Sequence, residues 1–244
     1  MEILGIDIGG TGIKGAIVNT ELGELTTERF RVTTPPKANP ADVSECVHRI
    51  VDHFSWKGPV GCGFPAVIVD GVARTSGNLH ESWVGTNVKQ TLEQATDCPV
   101  NVLNDADAAG FAEMRFGSGV GASGKVLLIT IGTGLGSALF FDGVWIPNLE
   151  LGYIKSKDGQ PIEYFASKKA MVGDDLTLTQ WASRFDYFLN YVNRVLSPDM
   201  FIIGGGLSKK FESFKELLQC PVKTIPASMR NHAGIIGAAI YGAS

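Results

Sequence analysis

Ile3-Leu4-Gly5-Ile6-Asp7-Ile8-Gly9-Gly10-Thr11-Gly12-Ile13-Lys14-Gly15-Ala16-Ile17-Val18 is the stretch that decides the fold. An apolar run breaks at a carboxylate, crosses a glycine-rich turn and resumes as a second apolar run. That pattern reads as strand, tight turn and antiparallel strand. Gly9, Gly10 and Gly12 put no Cβ in front of their N–H groups, so an anion can approach them closely. Asp7, at the end of the first strand, is placed to hold a cation beside that anion. An ordinary hairpin with glycines at positive φ has the same signature, and both readings stand on this stretch alone.

The pattern recurs downstream. Val126-Leu127-Leu128-Ile129-Thr130-Ile131-Gly132-Thr133-Gly134-Leu135-Gly136-Ser137-Ala138-Leu139-Phe140-Phe141 repeats strand, glycine turn with a threonine, and strand. Each copy is followed by a turn, Glu21-Leu22-Gly23 in one and Asp142-Gly143 in the other. Two copies of one phosphate hairpin point to an internal duplication, with two lobes expected to face each other across a cleft.

Composition narrows the class. The chain has 244 residues, enough for one large domain or two small lobes. A net charge of -4 argues against nucleic acid as the main partner. No apolar run reaches membrane-spanning length, and the chain enters a strand at once, which leaves no room for a signal peptide. Cys46, Cys62, Cys98 and Cys220 are far apart, in apolar surroundings and without metal-ligand spacing. They read as reduced core residues of a cytoplasmic protein.

Between the hairpins, Glu24 to Val32 reads as a third strand, ended by Thr34-Pro35-Pro36. Asn39 caps a helix with Pro40 at its first position and an apolar face of Val43, Val47, Ile50, Val51 and Phe54. Pro59 to Pro65 is a buried strand, Val67 to Thr75 a hairpin around Asp70-Gly71, and Asn87 caps a helix to about Asp97. Val100 to Leu103 is a short strand that delivers Asn104-Asp105-Ala106-Asp107 onto a helix start. Gly117 to Gly124 reads as a flexible connection, and Pro147 to Pro161 as polar and irregular. A long helix from about Thr177 carries the stripe Trp181, Phe185, Phe188, Leu189, Val192 and Leu196, which reads as core. Met200 to Gly206 is strand into glycine turn, followed by a helix from Leu207 to Leu218. Glycines within the last helix, Ala233 to Gly242, call for close packing or ligand approach to offset about 1 kcal/mol each. Strands followed by helices, twice over, give an α/β two-lobed architecture.

Asp105 is the first candidate for a catalytic group. It follows a buried strand, and the helix N-terminus behind it favours the ionised carboxylate, which can take the proton of an attacking hydroxyl. A helix cap is the competing reading, and Asp107 fits that too. Asn78, Asn104, Glu150 and Glu163 are amides and carboxylates of the kind that pair with adjacent hydroxyls of a sugar. Lys14 fits beside a phosphate, although strand alternation equally allows it to face solvent. The pairs Lys155/Lys157, Lys168/Lys169 and Lys209/Lys210 read as solvated faces that a long polyanion could use. Of these, Lys209 and Lys210 stand at the expected start of the helix after Gly204-Gly205-Gly206, an end that attracts anions.

DIGGTGIKGA, LNDADAAG, TIGTGLGSALFFDG, ELG, FIIGGGLSKK and RNHAGIIGAA resemble the ROK family of sugar kinases. GPVGCGFPAVIVDGVARTSGNLHESWVGTN and LSPDMFIIGGGLSKK are similar to its polyphosphate glucokinase branch, which uses inorganic polyphosphate, ATP or both. The resemblance runs from Ile3 to Ala239. It implies the duplicated ribonuclease-H-like fold of the actin and hexokinase superfamily, two-lobed with a central cleft. Residues 1–115 would form the N-terminal lobe, residues 116–226 the C-terminal lobe, and a last segment, 227–244, would pack back on the first.

The resemblance also implies roles. Asp105 matches the family's base. Asn78, Asn104, Asp105, Glu150, Tyr153 and Glu163 match its sugar side. Asp7, Gly9, Gly10, Thr11, Gly12, Lys14, Thr130, Gly132, Thr133, Gly134, Gly204, Gly205 and Gly206 match its phosphate and nucleotide side. Asp7 would hold Mg²⁺ through water. No zinc is implied, because the cysteine cluster of the wider family is missing. Tyr153 stands where the family's Glu-x-Gly-His motif has histidine, and Ala66 where glycine is usual. DNA-binding repressors of the family carry an additional helix-turn-helix module, for which this chain has no room.

The expected activity is transfer of a phosphoryl group from polyphosphate or ATP to the 6-hydroxyl of glucose, in a cytoplasmic homodimer that binds neither nucleic acid nor membrane. The alternatives are an ATP-dependent kinase of another hexose, such as mannose or fructose, and an inactive sugar- or phosphate-sensing protein.

Overall fold

The computed structural model describes residues 1–243. It gathers them into two compact units, Met1–Phe116 with the chain from Asn231 onward, and Gly117–Arg230. Residue 244, the end of the segment expected from 227, lies outside the described residues.

In the first unit, β1 (Glu2–Gly9) and β2 (Gly12–Asn19) form the hairpin, with Asp7 opposite Lys14 and Gly9 opposite Gly12. Then come β3 (Glu24–Leu25), β4 (Phe30–Val32), α1 (Pro40–His53), β5 (Val60–Phe64), β6 (Ile68–Val69), β7 (Val72–Ala73), α2 (Val88–Thr96), β8 (Val100–Asn104) and α3 (Asp105–Phe116). The main sheet has the order β3-β2-β1-β5-β8, with β4 also on β2. β1, β5 and β8 are parallel to one another.

The second unit repeats this plan. It contains β9 (Lys125–Ile131), β10 (Leu135–Phe141), β11 (Val144–Ile146), α4 (Glu163–Ala166), α5 (Lys168–Gly173), α6 (Leu178–Leu196), β12 (Met200–Gly205), α7 (Phe211–Phe214) and β13 (Lys223–Pro226). Its sheet runs β11-β10-β9-β12-β13, antiparallel through β10 and parallel from β9 onward. Two sheets of one topology are the duplicated ribonuclease-H-like pattern.

Local chemistry accounts for the elements. Asn39 Oδ1 accepts the Asp42 N–H at 2.9 Å, and Pro40 supplies the first helical φ of α1. Thr177 and Gln180 close a capping box on α6, whose Trp181, Phe185, Phe188, Leu189 and Val192 are buried. All five residues of β5 are buried, as expected of a parallel strand covered on both faces.

Three expectations need correction. The strand read over Glu24 to Val32 is two strands, β3 and β4. The Thr27 hydroxyl takes the Ile17 N–H at 3.0 Å, so the backbone leaves the ladder between them. Gly117 to Gly124 is a pair of hydrogen-bonded turns rather than a loose connection, with Val120 N–H on Gly117 O and Ala122 N–H on Gly119 O. The helix read over Leu207 to Leu218 is broken into a 3₁₀ segment (Gly206–Lys210), the four-residue α7 and a second 3₁₀ segment (Lys215–Leu217). Phe211 and Phe214 turn into the aromatic core, where Phe214 meets Trp181 and Phe185 edge-on, and that packing overrides one continuous helix.

The last helix, α8 (Ala233–Gly242), belongs to the first unit and is buried almost all round. A Cβ on Gly5 would overlap the Ile235 carbonyl, and one on Gly61 the Ala238 carbonyl. One on Gly237 would overlap the Ala108 carbonyl of α3. The glycines therefore let three elements meet α8 at backbone distance. Among the described residues, no helix is long and apolar enough to cross a membrane.

Candidate active site

In the first unit, the carboxyl ends of the parallel strands bring the candidate residues to one sheet edge. Asp7 lies beside Gly63 in register, and Gly63 beside Leu103, so Asp105 is two strands over from Asp7 and two residues further along, roughly 12 Å away. Asp105 opens α3 half-buried, and its Oδ1 accepts the Ala106 N–H at 2.8 Å. Asn104 is buried beneath it. Its Oδ1 accepts the N–H groups of Ala106 and Asp107, and its Nδ2 donates to Ala66 O at 3.1 Å. Asn104 thus caps the helix and ties it to the loop after β5. Asp107 is fully buried inside α3.

The first glycine turn is braced from outside the hairpin. The Thr34 hydroxyl donates to Gly9 O at 2.6 Å, and Arg31 Nη2 donates to Thr11 O at 2.8 Å. Both clamps leave the glycine N–H groups untouched. Lys14 Nζ is 3.4 Å from Asp7 Oδ2, and Gly234 at the start of α8 closes on the same carboxylate. Burial and the neighbouring Asp7 push the Cys62 thiol far up, so it stays protonated. Asn78 is exposed, with its Cβ facing Gly10 at the turn.

In the second unit, the turn after β9 gathers Gly132, Thr133 and Gly134 near Gly204, Gly205 and Gly206. Gly204 pairs with Thr130 and Gly205 with Ile131. Gly205 has φ +79°, and a Cβ there would strike the Ile131 backbone. Lys168, read from sequence as a solvated lysine, donates its N–H to Gly132 O at 3.2 Å, and its Nζ lies near Gly206. Nothing in the local sequence marks it, because the contact is made across the fold.

The expected sugar-side residues of this unit form a small carboxylate group. The Ser137 hydroxyl donates to Leu149 O and accepts the Leu151 N–H, which pins the chain on both sides of Glu150. Glu163 Oε2 accepts the Leu135 N–H at 3.3 Å, packed against Gly134 and Gly152, where any Cβ would crowd it. Burial holds the Glu163 carboxyl above its ordinary value, partly offset by the Leu135 N–H and Lys169. Burial, Glu163 and Glu150 push the Tyr153 phenol up, so it stays a neutral donor and acceptor. Gly134→Ala is expected to turn the Glu163 carboxylate out of this niche and to cost about 1 kcal/mol in denaturant unfolding, the hydrogen bond to Leu135 that it gives up. An unchanged midpoint would mean that the niche has room to spare.

Lys209 and Lys210 precede only the four-residue α7, with Lys210 at its N-cap position, and not the long helix expected there. They end the 3₁₀ segment Gly206–Lys210, exposed, and a single turn of helix behind them sums too few peptide dipoles to supply the anion-attracting end expected there. Among the described residues, no group of three or more His, Cys, Asp and Glu side chains is arranged to hold a metal ion.

Comparison with known proteins agrees with this architecture. Residues 3–147 match the ROK family. The polyphosphate glucokinase of Mycobacterium tuberculosis (strain ATCC 25618 / H37Rv) is 40% identical over 237 residues, 97% of this chain and 89% of the relative. The crystal structure of inorganic polyphosphate/ATP-glucomannokinase from Arthrobacter sp. strain KM superposes with a TM-score of 0.95 at 43% identity, covering 99% of this chain and 98% of that one. A ROK family glucokinase from Streptomyces griseus shares the fold, with a TM-score of 0.82 at 24% identity over 98% of each chain. By sequence along nearly all its length, and by the duplicated sheets that carry its two glycine turns, this chain belongs to the ROK family.

Proposed function

We propose that this protein is a kinase that transfers a phosphoryl group from inorganic polyphosphate or ATP to the 6-hydroxyl of glucose. One observation carries the reading: a half-buried carboxylate at a helix N-terminus, Asp105, shares a sheet edge with a braced glycine turn beside Asp7. A base and a phosphate cradle are what phosphoryl transfer to an alcohol needs. The names of the relatives at 40% and 43% identity support the same chemistry.

Roles divide by unit. In the first, Asp105 accepts the proton of the attacking hydroxyl, and Asn104 holds Asp105 by capping α3. N–H groups of the Gly9–Gly12 turn face the donor phosphates, where charge develops in the transition state. In the second, the Gly132–Gly134 turn, Gly204–Gly206 and Lys168 serve the donor, and Glu150, Tyr153 and Glu163 the sugar hydroxyls. Asn78 is assigned to the sugar as well.

Mg²⁺ fits this arrangement. It needs only one or two carboxylates beside phosphate oxygens and keeps several waters, and Asp7 is a lone carboxylate next to an N–H-rich turn. Asp7 would hold the ion through water, and the ion would neutralise phosphate charge. Lys14, at 3.4 Å, is a loose partner that can turn from Asp7 to a phosphate oxygen.

The test is a coupled assay of glucose with ATP and of glucose with polyphosphate, at low salt. Turnover with both donors supports the reading, and turnover with neither sinks it. Mannose belongs in the same assay, since the Arthrobacter relative is named a glucomannokinase. Tyr153→His is expected to lower KM for glucose roughly threefold to tenfold, because an imidazole near Glu150 and Glu163 makes a charge-assisted contact. An unchanged or higher KM would mean the pocket is already fitted to the phenol.

A further inference from the structure

A groove of about 640 Å³ runs along the first unit, lined by Lys14, Leu25, Thr27, Glu28, Arg29, Arg31, Asn231 and His232. It begins at the glycine turn, where Arg31 holds Thr11 O, and ends where the chain enters α8, with Arg29 Nη1 3.3 Å from Asn231 O. Lys14 and Arg31, at its turn end, already serve the glycine turn, and no role described above uses the rest of it.

Its charge pattern is unusual for an unoccupied surface. Lys14 and Arg31 stand directly opposite each other on β2 and β4, a like-charge pair that a sheet ordinarily avoids. Arg29 follows on the same side of the chain, two residues away. Among the described residues, neither arginine has a carboxylate partner within ion-pair distance, and each meets a backbone carbonyl instead. Each guanidinium carries five N–H donors, so most of them are left for something else. Asp7 is paired with Lys14, and Glu28 is the one acidic side chain in the lining. Burial and Arg29 hold the His232 imidazole below its ordinary value, so at neutral pH the arginines and Lys14 supply the positive charge.

We infer that this groove is a subsite for inorganic polyphosphate, which takes the part of the chain beyond the phosphates held at the glycine turn. The inference rests on the proposed kinase reading and names the donor that the site is built to prefer. The lining favours phosphate over a nucleoside. It has one aliphatic side chain, Leu25, and no Phe, Tyr or Trp on which a base could stack, whereas a phosphate chain needs only cations and N–H donors. Continuity with the Gly9–Gly12 turn through Arg31 puts one end of the groove where the donor's phosphates are received.

The experiment compares kcat/KM for tripolyphosphate, for polyphosphate of increasing length and for ATP, in the parent protein and in Arg29→Gln and Arg29→Gln/Arg31→Gln. Both arginines are exposed, and circular dichroism melts check that the variants fold. In the parent, kcat/KM should rise with chain length. In the double variant, the ratio of long-polyphosphate to ATP kcat/KM should drop roughly tenfold, and the salt dependence should become shallower. Arg29→Lys should restore part of the loss. An unchanged length dependence in the double variant overturns the inference. So does its loss in Lys209→Gln/Lys210→Gln instead. Turnover of ATP without polyphosphate leaves the kinase standing and rejects the groove. If neither donor is turned over, the kinase reading fails, and titration with fluorescently labelled polyphosphate decides the groove separately. Binding that weakens in the double variant supports it, and equal or absent binding rejects it.

Discussion

Asp105→Asn is expected to lower kcat by roughly 10²–10⁴ while glucose affinity stays within about threefold. The substitution keeps shape and cap, since an amide oxygen can still accept the Ala106 N–H that Asp105 Oδ1 accepts at 2.8 Å. What it removes is the ability to take a proton from the sugar hydroxyl. Loss of kcat with little change in sugar binding is therefore the mark of a base. A merely structural residue would lower the melting temperature and disturb binding as well. Isothermal titration with glucose, set against steady-state rates, separates the two. Residual activity above roughly a tenth of the parent's would assign the proton to another group. Asp107 would be a poor substitute, being fully buried within α3.

The second large effect is on the fold. Gly237→Ala is expected to destabilise the protein by about 3 kcal/mol or more, because the new methyl would overlap the Ala108 carbonyl oxygen. Backbone cannot swing aside as a flexible side chain does, so α8 and α3 must part. For a chain of this size, the melting temperature should fall by roughly 6 °C or more. Gly173→Ala is the control, since nothing lies within 4 Å of the position a Cβ would take there. If both variants melt like the parent, α8 has slack that the packing does not suggest.

Much of the fold was legible in the sequence, because it rests on local chemistry. Both hairpins follow from glycines and threonines between apolar runs, and Asn39, Asn87 and Thr177 cap their helices as their positions indicate. The placement of Asp105 was legible for the same reason, between a buried strand and a helix. What was not legible depends on residues distant in sequence. Thr34 and Arg31 brace a turn that lies more than nineteen positions upstream. Ser137 fixes the chain around Glu150, and Lys168 reaches the second glycine turn, each through contacts no local pattern encodes. The break in Leu207 to Leu218 has the same origin. Apolar spacing there is compatible with a helix, but the aromatic core around Trp181 dictates where Phe211 and Phe214 must go.

The first unit is assembled from both ends of the chain. β1 carries Asp7, yet the residue that closes on Asp7 is Gly234, in a helix made more than two hundred residues later. During synthesis, the first hairpin and β5 therefore emerge from the ribosome with the face meant for α8 uncovered, and Gly5 and Gly61 offer bare backbone there. That face stays open until the rest of the chain has been translated, an interval of roughly ten to fifty seconds at ordinary elongation rates. A message cut short before Ala233 would yield a polypeptide with both glycine turns and Asp105 but no cover for the first sheet, which carries the first of those turns. Such a product should be captured by chaperones and degraded rather than persist as a partly active enzyme.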